Sequence, residues 1–113
     1  MRRRVRKVIT LLSNKKAEDI ITFDLEKSDY FVEHVIIASS LGKRHTHSLL
    51  DDLKQRLKSD GEEFLHIDEG EDWIVADLGD ILVHIMSQEK REYFRIEEFL
   101  NSIDRVKSEK IEK

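Results

Sequence analysis

Three stripes of apolar residues at helical spacing predict three helices along the chain. The first helix is predicted over about residues 3–13 from its stripe of Val5, Val8, Ile9 and Leu12. The second stripe comprises Leu49, Leu50, Leu53 and Leu57. Ser39 or Ser40 can cap this second helix, and Asp60-Gly61 ends it. A third helix follows a Ser87 cap and is predicted to bury Tyr93, Ile96, Leu100 and Ile103.

Alternating or continuous apolar runs between the helices predict strands. DIITFDL, residues 19–25, alternates and predicts a first strand. HVIIAS, residues 34–39, is continuously apolar, which is typical of a central strand. Residues 26–29 form a polar turn between these two strands, and residues 30–32 are assigned to no element. A short third strand is predicted at Phe64–Ile67, before an acidic loop that ends at Asp72.

The run DWIVADLGDILVHIM, residues 72–86, predicts a β-hairpin that turns at Gly79-Asp80. Counting from that turn places an apolar set on one side of the ribbon: Ile74, Ala76, Leu78, Ile81, Val83 and Ile85. The other side mixes polar and apolar residues: Trp73, Val75, Asp77, Leu82, His84 and Met86. Because this mixture suits neither a core nor a plain solvated face, we interpret it as a candidate contact surface.

The order α-β-β-α-β-β-β-α predicts an α+β fold. We expect one mixed five-stranded sheet with helices mainly on one face, because three helices are too few to cover both. The other face then stays partly open and includes the mixed side of the hairpin. A single domain is expected over residues 1–103, followed by a fraying charged C-terminal tail at residues 104–113.

Composition narrows the class of protein. The 113 residues fit one domain, and no apolar run approaches the ~18 residues of a membrane span. The absence of cysteine excludes disulfides and thiolate metal sites and suits a reducing compartment, so the cytoplasm is expected. We expect no cofactor and no metal.

The charge is unevenly distributed along the chain. Residues 1–17 carry seven Lys or Arg and no acid, which leaves 13 basic against 24 acidic residues, a net charge of −11, for the rest. Duplex nucleic acid needs a broad positive face, so this acidic body better suits a basic protein partner. The basic head could instead be read as a transit peptide, but we interpret it as a mature helix.

Four segments together resemble a known family. They are KKAEDI (15–20), Arg44-His45 at the head of the second helix, DWIVADLGDILVHIM (72–86) and REYFRIEEFL (91–100). The most specific part is the string Trp-x-x-x-Asp-x-Gly-Asp-x-x-Val-His, which runs from Trp73 to His84 and is followed by Tyr93. With these residues the chain resembles the ribosomal silencing factors, also called Iojap-related proteins, over about residues 5–100.

This resemblance implies both a fold and a function. It implies a nucleotidyltransferase-like topology without catalysis, so the protein is expected not to be an enzyme. It also implies binding to the large ribosomal subunit through protein fourteen of that subunit. Such binding blocks joining of the small subunit and represses translation when nutrients are scarce.

The candidate partner-binding residues lie in the hairpin. They are Trp73, Val75, Asp77, Leu78, Asp80, Leu82, His84 and Met86. Trp73 is interpreted as an exposed anchor, since Trp is enriched among interface hot spots, with a core tryptophan as the alternative. His84 is more simply a packed histidine that pairs with a carboxylate or a backbone group than a catalytic one.

The alternative function is a metal-dependent, nucleotidyltransferase-like enzyme. Asp77 and Asp80, with Asp24, would then hold Mg²⁺. The simpler hypothesis makes Asp80 a turn residue and lets the Asp77 carboxylate bond the turn amides. His45 and His47 are a weak metal signal, because side chains at i and i+2 of a helix point apart.

The basic head supplies a second candidate contact. Arg2, Arg3 and Arg4 are candidates for peripheral contact with ribosomal RNA, and a solvated helix face is the alternative. A homodimer through exposed strands of the open sheet is also a candidate assembly.

Overall fold

The chain folds around one mixed sheet whose two central strands are parallel. The structure, a computed structural model, describes residues 3–111. The elements in chain order are α1 (Arg3–Asn14), β1 (Glu18–Asp24), β2 (His34–Ser40), α2 (Lys43–Ser59), β3 (His66–Glu69), β4 (Trp73–Asp77), β5 (Ile81–Ser87), α3 (Gln88–Phe94), α4 (Ile96–Asn101) and β6 (Lys107–Lys110). The strand order across the sheet is β3-β4-β5-β2-β1-β6. β2 and β5 pair in parallel and every other neighbouring pair is antiparallel, so the predicted α+β class is confirmed.

The sheet has six strands, so the prediction of five is wrong. The sixth, β6, comes from the segment predicted to be a fraying tail, and it pairs with the outer edge of β1. All four residues of β6 are exposed, so no apolar pattern marks this strand. Ile111, just beyond it, donates its N–H to the carbonyl of Ile20 at 2.8 Å and packs on the core.

The two long helices cover one face of the sheet. α1 buries the predicted stripe together with Leu11, and α2 buries its predicted leucine stripe. Asp60-Gly61 ends α2 as predicted: Gly61 has φ +87°, and the N–H of Glu62 reaches back to the carbonyl of Leu57 at 2.9 Å. Among residues 3–111, no helix combines the length and the apolar character needed to cross a membrane.

The head of α2 differs from the prediction. Gly42 occupies the N-cap position and, as a glycine, has no side chain that could accept a capping hydrogen bond. Ser40 instead bonds the hydroxyl of Thr46 at 2.6 Å inside the protein. Thr46 in turn donates to the carbonyl of Gly42 at 2.8 Å, so a hydroxyl pair ties β2 to the first turn of α2.

The second face of the sheet is covered more fully than predicted. A second apolar cluster forms there from strand residues, from the segment 25–33 and from the short helix α4. Leu100 of α4 is 1% exposed, and Leu82 of β5 packs in the same cluster. This part of the sheet is therefore a second core, and the open area is confined to the region of β4.

The last helix is broken in two. Ser87 caps α3 as predicted, because its hydroxyl accepts the N–H of Lys90 at 3.2 Å. Arg95 then adopts a left-handed conformation, with φ 51°, and separates α3 from α4. The break redirects the stripe, so Leu100 is buried whereas Tyr93 is 77% exposed. The prediction that Tyr93 is buried is wrong.

Candidate docking surface

The hairpin has the predicted register. Trp73 lies opposite Met86, Val75 opposite His84 and Asp77 opposite Leu82 across the two strands. Gly79 has φ +99°, whereas Asp80 is outside the left-handed region, which is the pattern of a type II′ turn. The positive φ is thus needed at Gly79 alone.

The carboxylates of both turn aspartates accept hydrogen bonds from other groups of the chain. The carboxylate of Asp77 accepts the N–H of Gly79 at 2.7 Å, as predicted. The carboxylate of Asp80 accepts a hydrogen bond from the Arg4 guanidinium at 2.5 Å, and this bond holds the pKa of Asp80 below its usual range. The hypothesis that Asp77 and Asp80 jointly hold Mg²⁺ therefore gains no support from their contacts.

The predicted partner-binding residues divide into two groups by exposure. Trp73, Val75, Asp77 and Asp80 are half-buried and reach the surface. The other four are buried: Leu78, Leu82, His84 and Met86. The prediction that Leu82, His84 and Met86 line an open face is wrong, because the second core and α3 lie over β5.

Three aromatic side chains form a surface cluster that we call the aromatic patch: Trp73, Phe94 and Tyr93. The rings of Trp73 and Phe94 meet edge to face with centroids 6.2 Å apart, and those of Phe94 and Tyr93 do so at 5.3 Å. Phe94 is 42% exposed. Sequence reasoning missed Phe94 and placed Tyr93 in the core, although two adjacent aromatics cannot both face one helical stripe.

The helix that carries two of these aromatics is tied firmly to the sheet. Arg91 is 8% exposed, and its guanidinium donates to both carboxylate oxygens of Glu97, at 3.1 and 2.9 Å, and to the hydroxyl of Ser39 at 2.8 Å. Ser87 donates its hydroxyl to the Asp72 carboxylate at 2.7 Å, beside the start of β4. These bonds set the position of the aromatic patch relative to the hairpin.

Acidic residues predominate in the elements that carry the patch. Glu69, Glu71 and Asp72 precede Trp73, and Glu89 and Glu92 lie on α3. Cations also lie in this region: Lys90 Nζ is 5.8 Å from the Tyr93 ring centroid, Arg95 is exposed, and Lys43 pairs with the Glu71 carboxylate at 3.0 Å. An aromatic surface in this acidic setting favours a basic partner, as the charge distribution predicts.

His84 is packed as expected, but its Nδ1 lacks the predicted partner. Within residues 3–111 that atom is buried and makes no hydrogen bond. Burial lowers the pKa of His84 to about 4, so the imidazole is neutral at pH 7. A neutral, enclosed ring behaves as part of the core.

Two residues of the basic head, Arg4 and Lys7, form ion pairs within the molecule. Arg4 donates to both carboxylate oxygens of Glu62, at 2.6 and 2.9 Å, as well as to Asp80, and these bonds raise its pKa. Lys7 pairs with Asp60 at 2.8 Å. Arg3 is exposed, and Arg2 lies outside the described residues. Arg4 is therefore a bridge between α1, the end of α2 and the hairpin turn.

The two histidines of α2 bond different parts of the backbone. His45 accepts the N–H of Leu41 at 2.9 Å through Nδ1 and bonds the carbonyl of Lys15 at 2.7 Å through Nε2. His47 bonds the carbonyl of Glu71 at 3.1 Å. These two bonds of His45 orient the head of α2.

One group of residues has the types and spacing of metal ligands. The ligand atoms of Asp24, Glu26 and His34 lie within 4.8 Å of one another, a cluster that sequence reasoning did not identify. His34 Nε2 is 3.5 Å from the Glu26 carboxylate and 3.9 Å from that of Asp24. Lys107 and Arg105 line the cavity beside the Asp24 and Glu26 carboxylates, so positive side chains also lie near this group.

Comparisons with known proteins agree on one family. Residues 1–113 match the family model described as RsfS, ribosomal silencing factor during starvation. The ribosomal silencing factor RsfS of Haemophilus influenzae is 34% identical over 89 residues, which cover 76% of this chain and 86% of that protein. A protein of Mus musculus named "Mitochondrial assembly of ribosomal large subunit protein 1" is 26% identical over 104 residues. These residues cover 86% of this chain and 46% of the mouse protein.

A solved structure has the same fold. The crystal structure of a protein from Chromobacterium violaceum superposes with a TM-score of 0.80 at 27% identity, covering 86% of this chain and 82% of that one. The match of the family model extends over the aromatic patch, the hairpin and β6 alike. The chain belongs to the family of ribosomal silencing factors.

Proposed function

We propose that this protein represses translation by docking on the large ribosomal subunit and occupying the space that the small subunit needs. Its partner on the large subunit is protein fourteen. The observation that carries the proposal is the aromatic patch: three exposed or half-buried rings in an acidic region of the sheet. Family membership and the name of the mouse relative support a ribosomal partner.

The surface chemistry suits docking. Aromatic rings bury a large area on binding at low entropic cost, and such anchors dominate the energy of protein interfaces. The half-buried Val75 and Asp77 extend the patch along β4 toward the hairpin turn. Acidic residues of α3 and the β3–β4 connection then meet the basic groups of a ribosomal protein at the rim.

Repression by occlusion needs no chemical step. The carboxylates of Asp77 and Asp80 are committed to a turn amide and to Arg4, and His84 is neutral and enclosed. The surface therefore acts by shape and charge, and the repressing effect depends on affinity for the large subunit.

The test is subunit joining measured on sucrose gradients with purified ribosomal subunits. We expect the wild-type protein to lower the fraction of joined ribosomes and Trp73→Ala to restore it. Loss of a central aromatic anchor typically weakens binding by ~2 kcal/mol, or about 30-fold in Kd.

Phe31→Ala is the matched control. Phe31 is a 69% exposed aromatic that contacts Tyr30 rather than the aromatic patch, so its loss should leave joining repressed. If wild-type protein at saturating concentration leaves subunit joining unchanged, the proposed function is wrong.

A further inference from the structure

We propose that Gly70 is a positioning residue that holds the indole of Trp73 in its docking orientation. This inference deepens the proposed function and rests on it for the binding step. The geometric step concerns the free protein and is tested without the ribosome.

The indole occupies the space where a side chain at residue 70 would stand. A Cβ built on Gly70 would lie 2.0 Å from the Trp73 Nε1 and 2.3 Å from its Cε2, far inside van der Waals contact. The ring therefore lies directly on the Cα of Gly70. Any other residue at this position displaces the indole.

The backbone itself does not require glycine at this position. Gly42, Gly61 and Gly79 have φ between +87° and +149°, whereas Gly70 lies outside the left-handed region. Its N–H donates to the carbonyl of Trp73 at 2.8 Å, which closes the tight connection between β3 and β4. Alanine fits this backbone, so the steric demand for glycine comes from the tryptophan ring.

The indole is held from a second side by Phe94. The two rings meet at 82° with centroids 6.2 Å apart, so the Trp73 ring is bounded by the Gly70 backbone and by the edge of Phe94. A side chain already held in its bound orientation loses less entropy on docking. Holding one such side chain in advance is worth about 2- to 10-fold in affinity.

The experiment uses Gly70→Ala with Trp73 as its own reporter, because the chain contains one tryptophan. We expect the displaced indole to show red-shifted emission and stronger quenching by acrylamide, with little change in the melting temperature. Binding to salt-washed large ribosomal subunits should weaken by about 2- to 10-fold. Gln55→Ala, an exposed change on α2, should alter none of these readouts.

A double variant separates positioning from a general structural role. In the Trp73→Ala background, Gly70→Ala should cause no further loss of affinity, since the ring on which it acts is gone. If Gly70→Ala lowers the melting temperature, removing the indole should restore it. A melting temperature that stays low in the double variant would overturn the proposal.

Two further results decide the matter. Unchanged emission and quenching in Gly70→Ala overturn the geometric step, whatever the protein binds. Changed emission with unchanged affinity overturns the positioning role, provided that Trp73→Ala weakens docking. If Trp73→Ala itself leaves docking intact, the proposal that Trp73 anchors docking is wrong. Altered emission in Gly70→Ala then still supports the contact between Gly70 and the indole.

Discussion

Neighbouring arginines of α1 have different surroundings. Arg4 reaches residues 58 and 76 positions away in the chain, whereas Arg3 is exposed on the same helix. A two-oxygen contact with a carboxylate is among the stronger ion pairs, although the 41% exposure of the Arg4 side chain weakens it through solvent screening. Residue type alone therefore does not decide which arginine remains available to RNA.

Arg4→Gln is expected to lower the free energy of unfolding by about 1–2 kcal/mol, because Glu62 and Asp80 lose their shared partner. Arg3→Gln should change it by less than about 0.5 kcal/mol. Urea unfolding at moderate ionic strength measures both variants. Equal losses for the two would contradict the bridging role of Arg4.

If Arg3 contacts ribosomal RNA, Arg3→Gln should weaken binding to whole large subunits at low salt. It should also reduce the slope of log affinity against log salt by about one. Binding to isolated protein fourteen should not change. An unchanged salt slope for whole subunits would show that Arg3 is a solvated side chain and does not contact RNA.

His84 predicts a pH dependence of stability. Burial lowers its pKa to about 4, whereas an unfolded histidine titrates near 6.5. Between these values the unfolded chain binds more protons than the folded one. The free energy of unfolding should therefore fall as the pH drops, by about 2–3 kcal/mol between pH 7 and pH 4.5 from this residue.

His84→Gln removes this titration. Between pH 7 and pH 4.5 the free energy of unfolding of the variant, measured in urea, should therefore fall by about 2–3 kcal/mol less than that of the wild type. His66→Gln is the control, because His66 is exposed and pairs with Asp68 at 3.0 Å. Parallel pH profiles for wild type and His84→Gln would show that the buried imidazole does not govern acid sensitivity.

At the scale of elements, the hairpin and β6 differ in how they are specified. The hairpin is specified by its own residues: a turn glycine, alternating apolar residues and a carboxylate that accepts the turn amide. β6 has four exposed residues and is ordered by its backbone bonds to β1 and by the packing of Ile111. Short charged edge strands of this kind also discourage pairing between molecules.

A chain that ends at residue 106 tests the contribution of β6. Its free energy of unfolding should be about 2 kcal/mol lower, because the partly buried Ile111 is removed and β1 loses its outer partner. The exposed edge of β1 should also promote association, which sedimentation at several concentrations detects. Lys107→Gln with Lys110→Gln retains the strand and should behave as wild type; equal stability of the shortened chain would contradict this role.

At the scale of the whole molecule, charge and shape act together. The long helices and one core occupy one face of the sheet, and the second core occupies the β1–β2–β5 part of the other. This leaves β4 and α3 to present the aromatic patch within an acidic region. In the proposed function, docking uses this end of the molecule, and exclusion of the small subunit is assigned to the bulk of the remaining chain.

Features set by short stretches of chain were predictable. The hairpin register, the Ser87 cap and the Asp60-Gly61 stop depend on residues within a few positions of one another, so local backbone chemistry specifies them. The α+β class followed from the order of the elements. Within the candidate surface, the same reasoning identified Trp73 and Val75, which do reach solvent.

Features that depend on distant segments required the tertiary structure. α4 and the segment 25–33 converge on β5 and bury Leu82, which no local pattern reveals. The break at Arg95 exposes Tyr93 and brings Phe94 against Trp73, so the aromatic patch exists only after α3 has docked. Burial and long-range ion pairing are properties of the assembled fold, because they are set by which segments meet in space.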